Sequence, residues 1–134
     1  MEQNQQELIL KLSMLEQQIR YLQEQLQAIE QANLELNLLF VGLDDLNGKN
    51  GSEIYALYGR GIYVKAKLLS EDLLVDIGGK TFVKKNAEDC KKLIKEQLIK
   101  LDDIKNQLDS NLENVSNEIS KTILESEKNE RTKN

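Results

Sequence analysis

Few side chains in this 134-residue sequence could do chemistry, and their neighbours disqualify most of them. Asp44-Asp45 and Asp102-Asp103 are paired carboxylates, which share general acid and base work when a cleft drives their pKa values apart. Both pairs sit in polar helical stretches that carry such pairs as an ordinary solvated face, and nothing in the sequence encloses them. Cys90 is the one thiol; it reads as a small buried hydrophobe rather than a redox switch, and a single cysteine that cannot form an internal disulfide fits a reducing compartment. With no histidine, the common zinc and transition-metal ligand sets and every nucleophile–histidine pair are out of reach. Gly59-Arg60-Gly61 is a turn without the G-x-G-x-x-G spacing of a dinucleotide site. Tyr55, Tyr58 and Tyr63 could stack bases, but they fit a β-body better, and a net charge of −5 has the wrong sign for tracking a phosphate backbone. Lys65, Lys67, Lys84 and Lys85 read as the solvated face of a sheet, with an acidic partner as the weaker alternative. The expectation is a protein that is no enzyme, needs no cofactor or metal and binds no nucleic acid.

The elements that carry these residues are dominated by helix. Aromatic residues make up 4% of the chain and charged residues 31%; proline and tryptophan are absent. A skew toward Leu, Ile, Glu, Lys and Gln marks long helices and coiled coils. The longest apolar run, Leu38-Leu39-Phe40-Val41, is far short of the roughly 20 residues a membrane span needs. The first seven residues lack the basic and apolar regions of a secretory signal, so a cytoplasmic protein that touches no membrane is expected. All seven glycines fall between Gly42 and Gly79, which predicts continuous helices on both flanks and turns with strands in the middle.

The first flank, residues 1–46, places Leu8, Leu12, Leu15, Ile19, Leu22, Leu26, Ile29, Asn33, Leu36, Phe40 and Leu43 at alternating steps of four and three. A seven-residue period held this long predicts a coiled-coil seam rather than a helix lying on a globular core. The second flank, residues 86–124, repeats the spacing at Ala87, Lys91, Ile94, Leu98, Leu101, Lys105, Leu108, Leu112, Val115, Ile119 and Thr122. Asn86 suits its N-cap, and Glu88 with Asp89 suits the positive end of its dipole. Residues 125–134 hold nothing to bury and are expected to form a disordered tail.

The middle, residues 47–85, contains four strand candidates at 53–58, 62–68, 73–77 and 81–85, paired as two β-hairpins. A short connector between equal stripes favours an antiparallel helical hairpin. That register sets Leu36 opposite Ile94, Ile29 opposite Leu101, Leu22 opposite Leu108, Leu15 opposite Val115 and Leu8 opposite Thr122. Asn33 in the seam either penalises slipped registers or is a tolerated edge residue. The expected fold class is mainly α with a small β region, a long antiparallel coiled-coil hairpin joined by two β-hairpins. Because the helical seam is already used, the hairpins' apolar residues are expected to be covered by sister chains in an oligomeric β-barrel body. Those residues are Ile54, Leu57, Ile62, Val64, Ala66, Leu68, Leu73, Val75, Ile77 and Val83.

The run Ser52-Glu53-Ile54-Tyr55-Ala56-Leu57-Tyr58-Gly59-Arg60-Gly61-Ile62-Tyr63-Val64-Lys65-Ala66-Lys67 resembles the first hairpin of prefoldin alpha-class subunits. Leu73-Leu74-Val75-Asp76-Ile77-Gly78-Gly79, followed by Val83-Lys84-Lys85-Asn86, is similar to the second. Two hairpins point to the alpha class, since beta-class subunits carry one. The sequence departs from the family at Ala56, where a proline is usual, and at Gly79-Lys80, where a small residue and glycine are usual. These departures leave both an ordinary alpha subunit and a specialised paralogue open.

The resemblance implies a chaperone subunit that works without nucleotide hydrolysis. Two alpha-class and four beta-class subunits would share a double β-barrel from which coiled coils hang, holding unfolded client proteins at their tips and passing them to a group II chaperonin. The tip residues would be Leu8, Ile9, Leu10, Leu12 and Leu15 with Val115, Ile119, Ile123 and Leu124. Ile9 and Leu10 make the first cluster too wide for a two-helix seam, although such a cluster could also tighten the coiled coil or pack on a neighbour. Two other readings share the architecture: a structural coiled-coil adaptor for one folded partner, and a filament-forming prefoldin-like paralogue built from one subunit type.

Overall fold

The computed structural model describes the backbone of residues 2–132 and the side chains of residues 3–128. A helix α1 spans Glu2–Gly42 and passes into a 3-10 turn, Leu43–Leu46. Four strands follow, β1 at Glu53–Gly59, β2 at Ile62–Lys67, β3 at Leu73–Asp76 and β4 at Phe82–Lys85; helix α2 closes the chain at Ala87–Thr132. Contacts divide the chain into one unit of Met1–Ala32 with Lys100–Asn134 and a second of Asn33–Ile99.

In the first unit the two helical segments pair along the predicted seam. Leu15, Leu22, Ile29 and Thr122 are buried, and the seam positions between them are half-buried. Lys11 Nζ lies 4.0 Å from the Glu118 carboxylate, a pairing that agrees with the antiparallel register setting Leu15 opposite Val115. Thr122 breaks the apolar pattern yet is 1% exposed, because its hydroxyl donates to the Glu118 carbonyl at 2.8 Å and so loses nothing on leaving water. The helix continues to Thr132, through most of the stretch the sequence assigns to a disordered tail. Glu125 to Thr132 contain neither glycine nor proline, so nothing in the backbone stops it. Lys133 and Asn134 lie outside the described residues.

In the second unit Leu43, Cys90 and Ile94 are buried together, with Leu36, Phe40, Leu98, Leu73 and Val75 packed around them. Lys91 occupies a seam position without leaving its charge unpaired. Its ammonium pairs with Asp44, lies 4.0 Å from Glu88 and sits over the Phe40 ring at 5.4 Å. The helix begins as expected: Asn86 Oδ1 accepts the Asp89 N–H at 2.8 Å.

The strands form two separate two-stranded antiparallel sheets, β1 with β2 and β3 with β4. Arg60 (φ 45°) and Gly61 (φ 79°) make the tight turn of the first, both left-handed as a two-residue hairpin loop requires. In the second, Asp76 Oδ1 accepts the Gly78 N–H at 2.9 Å, and Gly78 takes φ 125°, a region closed to most side chains. The expectation that the helical seam could cover neither hairpin needs correcting. Leu73 and Val75 pack on the Leu43–Cys90–Ile94 cluster. At this level the off-seam Cys90 widens the apolar surface on which Leu73 and Val75 pack.

Candidate interaction surfaces

Each tip residue takes its exposure from its place relative to the seam. Leu15 is buried, and Leu8, Leu12, Val115 and Ile119 are half-buried within it. The next residues along α1 have no seam to enter: Ile9 is 67% and Leu10 62% exposed. On α2, Ile123 is 44% and Leu124 59% exposed. A helix 3.6 residues per turn cannot turn more than about two residues in seven toward one partner, so a run such as Leu8-Ile9-Leu10 must spill apolar surface onto the solvent side.

The sequence reading missed apolar residues beyond the tips. Met14 and Tyr21 are exposed and line a groove of about 530 Å³ with Gln17, Gln18, Asn111 and Asn114, floored by Leu22 and Val115. On the Asn33–Ile99 part of α1, Leu34, Leu38 and Val41 form an exposed row at helical spacing. The signal available in the sequence was this off-seam spacing, which the strength of the seam pattern hides.

The hairpins present the second surface. On the first, Ile54 pairs with Ala66 and Ala56 with Val64 on one face; Tyr55 pairs with Lys65 and Leu57 with Tyr63 on the other. Leu57 therefore shares a face with tyrosines rather than with Ile54. Ile54, Ala66 and Leu68 are half-buried, whereas Leu57, Ile62 and Val64 are exposed. On the second hairpin Leu73, Val75 and Val83 are half-buried on one face, while Leu74 and Phe82 stand exposed on the other and Ile77 is exposed just past β3. Beside it lies an apolar groove of about 360 Å³, lined in part by Leu39, Leu74 and Leu93. With two strands per sheet, every strand has one edge whose backbone groups pair with nothing in its sheet.

Among the described residues no group of His, Cys, Asp or Glu is arranged to hold a metal ion, and no helix is long and apolar enough to cross a membrane. Asp44 of the first carboxylate pair is engaged by Lys91, and Cys90 is enclosed in the apolar cluster.

Comparison with known proteins points to one family. A family model described as Prefoldin subunit matches residues 15–133. The curated prefoldin subunit alpha of Methanobrevibacter smithii is 28% identical over 122 residues, covering 90% of this chain and 84% of that protein. A chain of the filamentous PFD of Methanocaldococcus jannaschii, solved by cryo-EM, superposes with a TM-score of 0.76 at 18% identity, covering 86% of this chain and 97% of that one. At that identity the superposition speaks for the fold.

Proposed function

The chain belongs to the prefoldin family and carries the two hairpins of its alpha class, and from that premise we propose that it is a holdase subunit gripping unfolded polypeptides at its helical tips. The observation that carries this reading is the exposure of Ile9, Leu10, Ile123 and Leu124 beside seam residues that are buried or half-buried. Apolar side chains of this size stay in water where a partner covers them only some of the time. Each contact is weak and non-directional, so several tips on one client raise avidity without demanding a sequence. Release to a group II chaperonin needs no nucleotide, because weak contacts let go at ordinary thermal rates.

The work is done in a hetero-oligomer. Two alpha-class and four beta-class subunits would join the hairpins into a common β-body in the cytoplasm, covering Ile62, Val64, Leu74 and Phe82. The open edges and exposed apolar faces of both sheets support this, since an isolated two-stranded hairpin is marginal in water. Removing about ten residues from each end and measuring suppression of client aggregation tests the tips. Loss of suppression with assembly intact is the expected result; unchanged suppression sinks the reading. A second reading, a filament-forming paralogue assembled from a single subunit type, shares this architecture. Mass measurement of the chain alone separates them, since long polymers point to the filament.

A further inference from the structure

The first hairpin is joined to the helical root by two connectors, residues 47–52 and 68–72. Among the described residues it gives no side chain to the Leu43–Cys90–Ile94 cluster, whereas the second hairpin gives Leu73 and Val75. At the hairpin end the connectors are laced by backbone bonds: the Gly51 N–H donates to the Leu68 carbonyl at 2.7 Å, and the Leu68 N–H to the Ser52 carbonyl at 2.9 Å. At the helical end a side chain takes over. Glu71 Oε1 accepts the Gly48 N–H, a bond that spans 23 positions of sequence. Both ends of this tie are anchored. Leu43, five residues before Gly48, is buried in the cluster, and Leu73, two residues after Glu71, packs on it. Ser70 Oγ accepts the Asp72 N–H at 3.0 Å, which folds the link carrying Glu71 into a compact turn.

We propose that Glu71 is a positioning residue for assembly, a strap that fixes the angle at which the first hairpin leaves the helical root. The proposal rests on the shared β-body proposed above and names the group that readies this chain for it. Two connectors joined only at the hairpin end would swing together as one hinge. A bond at the helical end turns them into a closed frame, and the hairpin then follows the packed cluster. A carboxylate suits the task, since a hydrogen bond to a charged acceptor is stronger than one to a neutral group. Among the described residues no other side chain ties one connector to the other. The angle matters because a strand edge pairs with a sister strand through backbone hydrogen bonds, which weaken steeply when misaligned. Holding it before the encounter removes an ordering cost that assembly would otherwise carry. Glu71 and Gly48 both lie outside the strands, so the strap acts on orientation and leaves the hairpin's own faces unchanged.

The test uses the full-length chain co-expressed with a beta-class subunit. Hydrogen exchange resolved to the Gly48 amide reads the strap, and mass measurement over a dilution series reads assembly. Glu71→Ala should speed Gly48 exchange about tenfold and raise the concentration needed for half-assembly about fivefold, at unchanged helical content. Glu71→Gln keeps an acceptor and loses the charge, so both effects should shrink to about twofold. Asp72→Ala removes a neighbouring carboxylate that has no partner among the described residues, and should leave both readings at wild-type values. Gly48 exchange unaffected by Glu71→Ala, or faster exchange with wild-type assembly, overturns the strap and leaves the shared body standing. An equal loss in Asp72→Ala overturns it too, since the effect would then belong to charge. Failure of the wild-type chain to enter any assembly overturns both.

Discussion

Ile9 and Ile94 show how one residue type serves two ends. Ile94 is 5% exposed within the Leu43–Cys90 cluster, so Ile94→Ala should cost about 3 kcal/mol, read as a fall in the thermal unfolding midpoint. Ile9→Ala should change stability by less than about 0.5 kcal/mol yet reduce suppression of client aggregation. The opposite pattern would mean that Ile9 packs on a neighbouring chain. Lys91 is a polar seam residue whose partners explain it. Lys91→Ala removes the Asp44 pairing and the contact with Phe40, and thermal unfolding should report a loss of about 1 kcal/mol. Asn33, another polar seam residue, is half-buried, and Asn37 donates to its carbonyl at 3.0 Å. Among the described residues its own carboxamide finds no partner, so the pairing by which it would penalise slipped registers is not made within this chain.

At the scale of elements, helices and hairpins follow from period and punctuation. Every residue of the four-three spacing is buried or half-buried, because seam burial is decided by the same geometry that spaces the residues. The hairpins end where left-handed residues stand. Arg60 adopts φ 45° without being glycine, so Arg60→Gly should raise the unfolding midpoint by the equivalent of about 1 kcal/mol, and Gly78→Ala should lower it by a similar amount. What the pattern hid was the docking of β3. Leu73 and Val75 are equally suited to a sister chain or to the helical root, and alternation names the face but not its cover.

For the whole molecule, the decisive quantity is apolar surface that no part of the chain covers. Tyr55, Leu57, Ile62, Tyr63, Val64, Leu74 and Phe82 are all exposed on strands. Val64→Lys should leave the helical signal in circular dichroism intact and shift the assembled mass toward smaller species, because a charge on the face shared with Ala56 and Ala66 cannot be buried against a partner. Full-size assembly of that variant would show that this face stays in water. The same surplus explains why little of the interaction surface could be read in advance: exposure on a single chain marks where partners fit, and composition does not say which.

The order of residues was enough to determine two long helices, their antiparallel seam and two hairpins, since each is set by local periodicity, by glycine position and by the short reach of the connector. Tertiary structure alone decided that β3 covers the cluster around Cys90 and that Met14 and Tyr21 line a groove beside the seam. Those outcomes depend on which surfaces meet after the elements exist, and contacts between distant residues leave no period in the chain to be read.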